Sequence, residues 1–366
     1  MSIYEELGVR RVINASATLT KLGGSLMPPE VVRAMSEAAG SFIDLHEFQR
    51  LAGERIAELT RNDAAFISSG AAAGIALAVS ACITGTDQAL IDSFPHLENA
   101  PRNEVIMFHS QRNGYDYAAR QTGARLVEIG PEDGELDEAI GEKTACVLWF
   151  AGAHYAHGAL PLEEVVEIAH ERGVPVLVDA AAQIPPISNL WHFTKEAGAD
   201  IAIFSGGKGL RGPQPSGLVL GRKDLIDACR VNGSPNHSIG RPMKVGKEET
   251  AGVLAALEWS LAQDEPATIE RYDQMVKYWI DGVSGLPGVT AERGYPSEAG
   301  QPHPRAIIHL GSRANGTRDD LVERLWGRDP RIAVAAIGSN AIALNPQTIL
   351  PGEEELVLVA LREELG

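Results

Sequence analysis

An α/β architecture, with a mostly parallel sheet in a large domain and a small α+β domain behind it, is what this 366-residue sequence predicts. Three observations carry the prediction. Between about residues 61 and 235, short apolar runs alternate with helical segments, as right-handed strand–helix–strand crossovers require. Val174-Pro-Val-Leu-Val-Asp-Ala180 is a β-branched run closed by an aspartate, as in a buried parallel strand whose carboxyl end faces a ligand crevice. After about residue 263, strand runs and helical runs follow one another as in a smaller α+β unit.

Taken in order, residues 1–60 form an N-terminal segment: a short helix, the stretch Asn14 to Gly24, and a helix opened by Pro28-Pro29 with Val31, Val32 and Met35 at helical spacing. The large domain spans 61–247. Ala64 to Ser68 is a strand, Ser69-Gly70 a turn, and the small residues running to about Gly85 a helix. Glu104 to His109 and Ala145 to Phe150 are further strands, and Ile201 to Phe204 and Leu218 to Leu220 flank a glycine loop. Residues 248–262 read as a linking helix with Ala251, Val253, Leu254, Leu257 and Leu261 on its apolar face. In the C-terminal domain, 263–366, Ala306 to Leu310 is a strand, and Thr317-Arg-Asp-Asp320 caps a helix running to Trp326. Strands near Ile332 to Ile337 and Ala341 to Leu344 precede a closing helix, Pro351 to Arg362.

The net charge of −17 argues against a nucleic-acid surface, which needs clustered Lys and Arg. Cys82, Cys146 and Cys229 are scattered without metal or redox spacing. The start Met-Ser-Ile-Tyr-Glu-Glu lacks a basic and then apolar signal, and no apolar run is long enough to span a bilayer, so a cytoplasmic protein without membrane contact is expected.

The chemistry concentrates at Ser205-Gly-Gly-Lys-Gly-Leu-Arg-Gly-Pro-Gln-Pro-Ser-Gly217, where Lys208 sits in a glycine turn between two strands. Gly207-Lys-Gly-Leu-Arg-Gly212 has dinucleotide-type glycine spacing, but Pro213 follows and no helix opens. A triphosphate loop needs Ser or Thr after its lysine, and here Gly209 follows. A solvated lysine in a turn is the plain alternative. Against it stand Asp179 at a neighbouring strand end and the turn Ser69-Gly70-Ala71-Ala72 at a helix N-terminus, which suits a phosphate. A lysine, a buried carboxylate and a phosphate cup together match pyridoxal 5′-phosphate. Lys208 is expected to form the Schiff base, Asp179 to keep the pyridine nitrogen protonated, and residues 69–72 to hold the phosphate.

These residues resemble the selenocysteine synthase-like branch of fold-type I pyridoxal phosphate enzymes, whose lysine loop has the form S-G-x-K-x-x-x-G-P-Q. The similarity extends to Ile13–Gly24, Ser69–Gly74, Arg112–Asp116 and Pro346–Thr348, and within the branch it is greatest to the D-glucosaminate-6-phosphate ammonia-lyase type. Ala17 departs from a common glycine. The resemblance implies an aspartate aminotransferase-like large domain, and an aromatic or imidazole ring after the 104–109 strand, for which His109 is the nearest candidate. It places Gln183 near the cofactor's 3′ oxygen and brings Gln111, Ser205 and Gly207 into the cofactor set. Relatives that act on a charged tRNA carry an extra N-terminal RNA-binding region, for which this chain is expected to have no room.

Substrate contacts are expected from Asn14, Thr20, Arg112 and His154, and from His237, Arg241 and Lys244, a cationic cluster in an acidic chain suited to a carboxylate or phosphate. His154 and His157 have H-x-x-H spacing but no third ligand, so no metal is expected. The function expected is α-proton abstraction from an amino acid or amino-sugar acid, β-elimination and ammonia release, in a homodimer or higher homo-oligomer. A racemase, an aldolase or a transferase would share the same cofactor residues. So would a non-catalytic homologue kept as a binding module, although the intact lysine, aspartate and phosphate turn favour catalysis.

Overall fold

Apolar runs short enough to be strands and flanked by helices on both sides must pack as a sheet covered on two faces. The computed structural model describes residues 2–132 and 134–366. Its chain divides into two units, one built from the residues up to Leu26 together with Asp264–Gly366, the other from Met27–Gln263. The N-terminal 60 residues expected as one segment are therefore split at Leu26, and the helix expected as a linker belongs to the larger unit.

In the smaller unit, strand β1 (Val12–Asn14) pairs in parallel with β11 (Arg331–Ala333). In the larger unit, seven strands form one sheet: β2 (Ala64–Ser68), β3 (Glu104–Phe108), β4 (Arg125–Ile129), β5 (Thr144–Phe150), β6 (Val176–Asp179), β7 (Ile201–Ser205) and β8 (Gly217–Gly221), in the order β2-β8-β7-β6-β5-β3-β4. Only β8 runs against its neighbours. The register aligns the carboxyl ends: Phe150 pairs with Asp179, Asp179 with Ile203, and Gly217 with both Ser205 and Ser68. Everything that follows β2, β5, β6 and β7 therefore leaves the sheet along one edge.

The helix Ala71–Thr84 is apolar around its whole circumference, as a helix buried on nearly all sides should be. Its hydroxyls bond inward, Ser80 Oγ to the Ala76 carbonyl at 2.8 Å and Thr84 Oγ1 to the Ser80 carbonyl at 3.0 Å, so no polar group is stranded. Gly74 lets it lie directly on the sheet: a Cβ there would meet Ile203 Cγ2 at 2.8 Å and Val219 Cγ2 at 3.1 Å. The helix Lys247–Leu261 packs against Pro29–Ala39, where a Cβ on Gly252 would strike Met35, and Lys247 Nζ caps that helix at the Ala38 carbonyl, 2.8 Å away.

The smaller unit has a second sheet of β9 (Val289–Gly294), β10 (Arg305–Leu310), β12 (Ala335–Ile337) and β13 (Ala341–Leu344), all antiparallel, backed by helices Glu265–Val283, Arg318–Gly327 and Glu353–Leu365. The capping box at Thr317 is present as the sequence predicts. No described helix is long and apolar enough to cross a membrane.

Candidate active site

Lys208 leaves the sheet three residues after β7 on a turn fixed by its own backbone. Gly206 N–H donates to the Ser216 carbonyl at 2.8 Å, Gly212 N–H to the Gly206 carbonyl at 2.7 Å and Arg211 N–H to the Lys208 carbonyl at 3.0 Å. The turn is pressed against its surroundings at Gly209, where a Cβ would lie 2.1 Å from the Ile184 carbonyl oxygen. The glycines are thus a packing requirement. They hold Lys208 half-buried at the sheet edge.

Asp179, at the end of β6, is 7% exposed, and one Asp179 oxygen accepts from the Ala181 N–H at 2.9 Å. Burial pushes its carboxyl above the usual range, with the Ala181 hydrogen bond and the Lys208 charge opposing. Burial likewise lowers the Lys208 ammonium below the ordinary lysine value, with Asp179 opposing. Each group is the other's electrostatic partner. Together they form a desolvated acid–amine pair of the kind found at reactive sites.

Two strands away, the helix Ala71–Thr84 starts with no side-chain cap, after Gly70 at φ 119°. Its first-turn amides point out of the helix toward the same edge, the position at which a helix binds an anion. β8 runs directly beneath: a Cβ on Gly217 would fall 2.7 Å from the Gly70 carbonyl carbon and 3.0 Å from the Ala71 nitrogen. Ser69, Gly70 and Ala71 are half-buried and Ala72 is exposed. Ser205 is half-buried on the same edge, and Gly207 packs within 2.6 Å of Gln214 Cα, measured from its ideal Cβ position.

The rings are arranged differently from the expectation. His109 is largely exposed and lies 3.6 Å from Glu128, on the side of β4. The ring above the lysine is Tyr115, its centroid 5.9 Å from Lys208 Nζ. Tyr155 is the second phenol nearby, packed on Phe150 with centroids 5.6 Å apart and within electrostatic reach of Asp179 and Tyr115. Neither tyrosine has a periodicity that would single it out; Tyr115 lies inside the Arg112–Asp116 stretch, and that membership was the only signal available.

Gln111, expected among the cofactor contacts, is fully buried and turned inward. Its side chain accepts from the Phe150 N–H at 2.9 Å and donates to the carbonyls of Phe150 and Tyr155, so it clamps the exit of β5. Gln183 does similar work from the other side, donating to the Ala151 carbonyl at 3.3 Å. Arg112, expected at substrate, donates to Asp116 at 2.6 Å and is paired with Glu128. Arg120 donates to the other oxygen of the buried Asp116 at 2.8 Å; burial pushes the Asp116 carboxyl up, but the bonds from Arg112 and Arg120 outweigh it and hold the carboxyl low. This network anchors the short turn that carries Tyr115. His154 and His157 are exposed, the former with its ring centroid 3.9 Å from that of Tyr155 and tilted by 42°.

Asn14 and Thr20 belong to the smaller unit. The Asn14 side chain is spent on a turn, accepting from Ser16 and Ala17 N–H groups and donating to the Ala17 carbonyl at 2.8 Å, while Thr20 opens a short 3₁₀ turn. His237, Arg241 and Lys244 are exposed. Their loop is tied to Asn232, which donates to Thr84 Oγ1 at 3.0 Å. It therefore lies by the C-terminal end of the Ala71–Thr84 helix, about 20 Å of helix away from the phosphate turn of the same chain. There His237 and Arg241 line a groove of about 660 Å³ with Asp92, Phe94 and Gln121. Among the described residues no group of three or more His, Cys, Asp or Glu is arranged to hold a metal.

Comparison with known proteins bears on this geometry. The family model for aminotransferase class-V matches residues 23–244. A D-glucosaminate-6-phosphate ammonia lyase of Salmonella typhimurium is 33% identical, with 99% of this chain and 97% of the relative covered. A 5′-C-glycyluridine monooxygenase-decarboxylase of a Streptomyces species is also 33% identical over 99% of this chain and 92% of its own. An L-seryl-tRNA(Sec) selenium transferase of Moorella thermoacetica is 25% identical and is covered over 84% of its length. The solved structure of a D-glucosaminate-6-phosphate ammonia-lyase superposes with a TM-score of 0.86 at 32% identity, over 99% of this chain and 98% of that one.

Proposed function

This chain belongs to the aminotransferase class-V family, and from that premise we propose that it is a pyridoxal phosphate-dependent ammonia-lyase acting on an amino acid or amino-sugar acid. Its fold is the fold-type I arrangement, and its cofactor is pyridoxal 5′-phosphate. The observation that carries the reading is the alignment along one sheet edge of a half-buried Lys208, a buried Asp179 and an uncapped helix start. The residues present fit the group. Asp179 is a desolvated carboxylate with a single described N–H donor, and the turn at Gly70 is seated so closely on Gly217 that no side chain could enter between them. Lys208 would hold the aldehyde carbon, Asp179 the ring nitrogen, and the amides of residues 69–72 the phosphate.

Bound there, pyridoxal phosphate supplies a sink for the electrons of a bond broken at an α-carbon. The chain's own residues do the rest. Burial makes Lys208 a better base near neutral pH than an exposed lysine, because its neutral form is the favoured one. It takes the α-proton. Asp179, ionised through its partner, keeps a cation beside it and resists loss of that proton. The Tyr115 ring, held by the Asp116 pairings, covers the amine and restricts the face from which substrate arrives. Elimination of a β-substituent then leaves an enamine whose hydrolysis releases ammonia.

The relative from Streptomyces supports a second reading, loss of the α-carboxyl group, because it is equally similar in sequence. A screen of phosphorylated and unphosphorylated amino acids and amino-sugar acids separates the two: ammonia with a keto acid supports the lyase, and carbon dioxide with dioxygen uptake supports the decarboxylase. Release of neither from any substrate by the reconstituted protein would overturn both. The active form is proposed to be a homodimer or larger homo-oligomer. In it His237, Arg241 and Lys244 of one copy meet the anionic end of a substrate bound to another. Arg241→Ala should then raise KM and leave cofactor binding unchanged, and light scattering should give at least twice the chain mass.

A further inference from the structure

Among the described residues, two that are not glycine have a positive φ, and both are arginines: Arg61 at 58° and Arg211 at 57°. The left-handed region penalises any residue with a Cβ, whereas glycine enters it freely. In the lysine turn the usual allocation is inverted. None of Gly206, Gly207, Gly209 and Gly212 lies in that region; they stand where a Cβ would collide, and the left-handed position is given to an arginine. Such a residue persists only where its surroundings over-determine it. Here the guanidinium supplies the hold. Arg211 Cζ lies 5.2 Å from the centroid of the Trp259 ring, on the helix Lys247–Leu261. Arg61 is held in the same way, 4.2 Å over Trp191.

The same helix runs along the turn from one end to the other. A Cβ on Gly206 would come within 3.0 Å of Val253 Cγ2 and one on Gly212 within 3.2 Å of the Ala256 Cβ. Ser260 Oγ donates to the carbonyl of the fully buried Leu210 at 3.1 Å. Lys208 lies in the span between these contacts. Its carbonyl accepts from the Arg211 N–H, so the left-handed residue is also the one that closes the turn. We propose that Arg211 is a positioning residue for Lys208: latched on Trp259, it holds residues 208–211 in one conformation and so fixes where the amine stands relative to Asp179. The inference rests on Lys208 being the reactive amine, as in the function proposed above, and holds whichever reaction follows. The action is through the backbone, since the charge that works on the Lys208 amine is that of Asp179. A glycine at position 211 would adopt the same φ without strain, but nothing would then tie the turn to the helix.

The test uses apoprotein and pyridoxal 5′-phosphate, whose aldehyde the Lys208 amine captures with loss of water. Borohydride fixes the bond and mass spectrometry locates it. In Arg211→Gly, which keeps the left-handed backbone and removes the latch, capture should slow by about tenfold, the upper worth of such a stack. Trp259→Leu should slow it equally, and the double variant no further, because the two side chains act as one unit. Arg211→Lys, which retains a cation over the ring, should return to within about threefold of wild type. Arg61→Gly breaks the matching stack at the opposite edge of the sheet, before the start of β2, and should leave capture unchanged. A second readout needs no cofactor. In apoprotein carrying carbon-13 methyl groups on its lysines, Asp179→Asn should shift the Lys208 titration about half as far, or less, in the Arg211→Gly background as in wild type. A merely structural arginine would change the melting temperature and leave capture at the wild-type rate; that result overturns the proposal. So do additive losses in the double variant, equal slowing in Arg211→Gly and Arg211→Lys or in Arg61→Gly, and an undiminished response to Asp179→Asn. Capture by wild type at a lysine other than Lys208 would fail the site assignment itself, and the positioning role would fall with it.

Discussion

Lys208 and Asp179 affect one another in a way that can be read before any cofactor is added. Burial pulls the amine below about 10.4 and Asp179 partly restores it, so the apoprotein should show one lysine titrating below the rest. Carbon-13 reductive methylation followed by NMR measures this. In Asp179→Asn the Lys208 resonance should titrate lower still, because the opposing attraction is gone while the burial remains. A Lys208 titration equal to that of exposed lysines would remove the electrostatic basis of the site. With cofactor, Lys208→Ala should yield a protein that does not retain the yellow chromophore through dialysis, because the covalent anchor is lost. Asp179→Asn should retain it and lose turnover by roughly 10²-fold, the size of an acid–base contribution. Unchanged turnover would make Asp179 structural.

At the scale of elements, the phosphate turn depends on how tightly one helix is seated on the sheet. Gly217→Ala puts a methyl 2.7 Å from the Gly70 carbonyl carbon, a contact between backbone and Cβ that cannot relax by a rotamer change. The start of the Ala71–Thr84 helix must move. Affinity for pyridoxal phosphate should fall more than tenfold, whereas affinity for pyridoxal, which lacks the phosphate, should change little; equal losses would place the damage elsewhere. That helix was visible in the sequence as a run of small residues, and the strand ends bearing Asp179 and Lys208 were visible as apolar runs with polar punctuation. The ring positions were not. Tyr115 and Tyr155 sit on turns, where no period reports direction, and the inward orientation of Gln111 depends on Phe150 and Tyr155, 39 and 44 residues away. Arg112 was expected at substrate because its partner Glu128 lies 16 residues on, within β4.

For the whole molecule, the sequence located the two kinds of architecture but not the boundary, because residues 27–60 find their main partners in the helix Lys247–Leu261 and the sheet of the larger unit, far along the chain. The smaller unit carries its own pH sensitivity. His303 is fully buried there, with Nε2 3.2 Å from Gln301 Oε1, Nδ1 3.3 Å from the Pro304 carbonyl and the Tyr272 ring edge-on at 5.4 Å. Burial pushes its pKa down to about 4, against the Pro304 hydrogen bond and with Arg305 adding to the fall. The folded value thus lies below the unfolded one, near 6.5. As pH drops from 6.5 to 4, the unfolded chain takes up a proton that the folded chain refuses, so stability declines across that window and levels off beneath it. A fall from 6.5 to about 4 corresponds to roughly 3 kcal/mol. Urea unfolding at a series of pH values, followed by the fluorescence of buried Trp279 in the same unit, should show this slope. His303→Gln should lower stability at pH 7, since it disturbs a packed ring, yet flatten the slope between pH 4 and 6.5. The slope is the diagnostic quantity: if wild type and variant lose stability in parallel as the pH falls, the acid sensitivity belongs to another group.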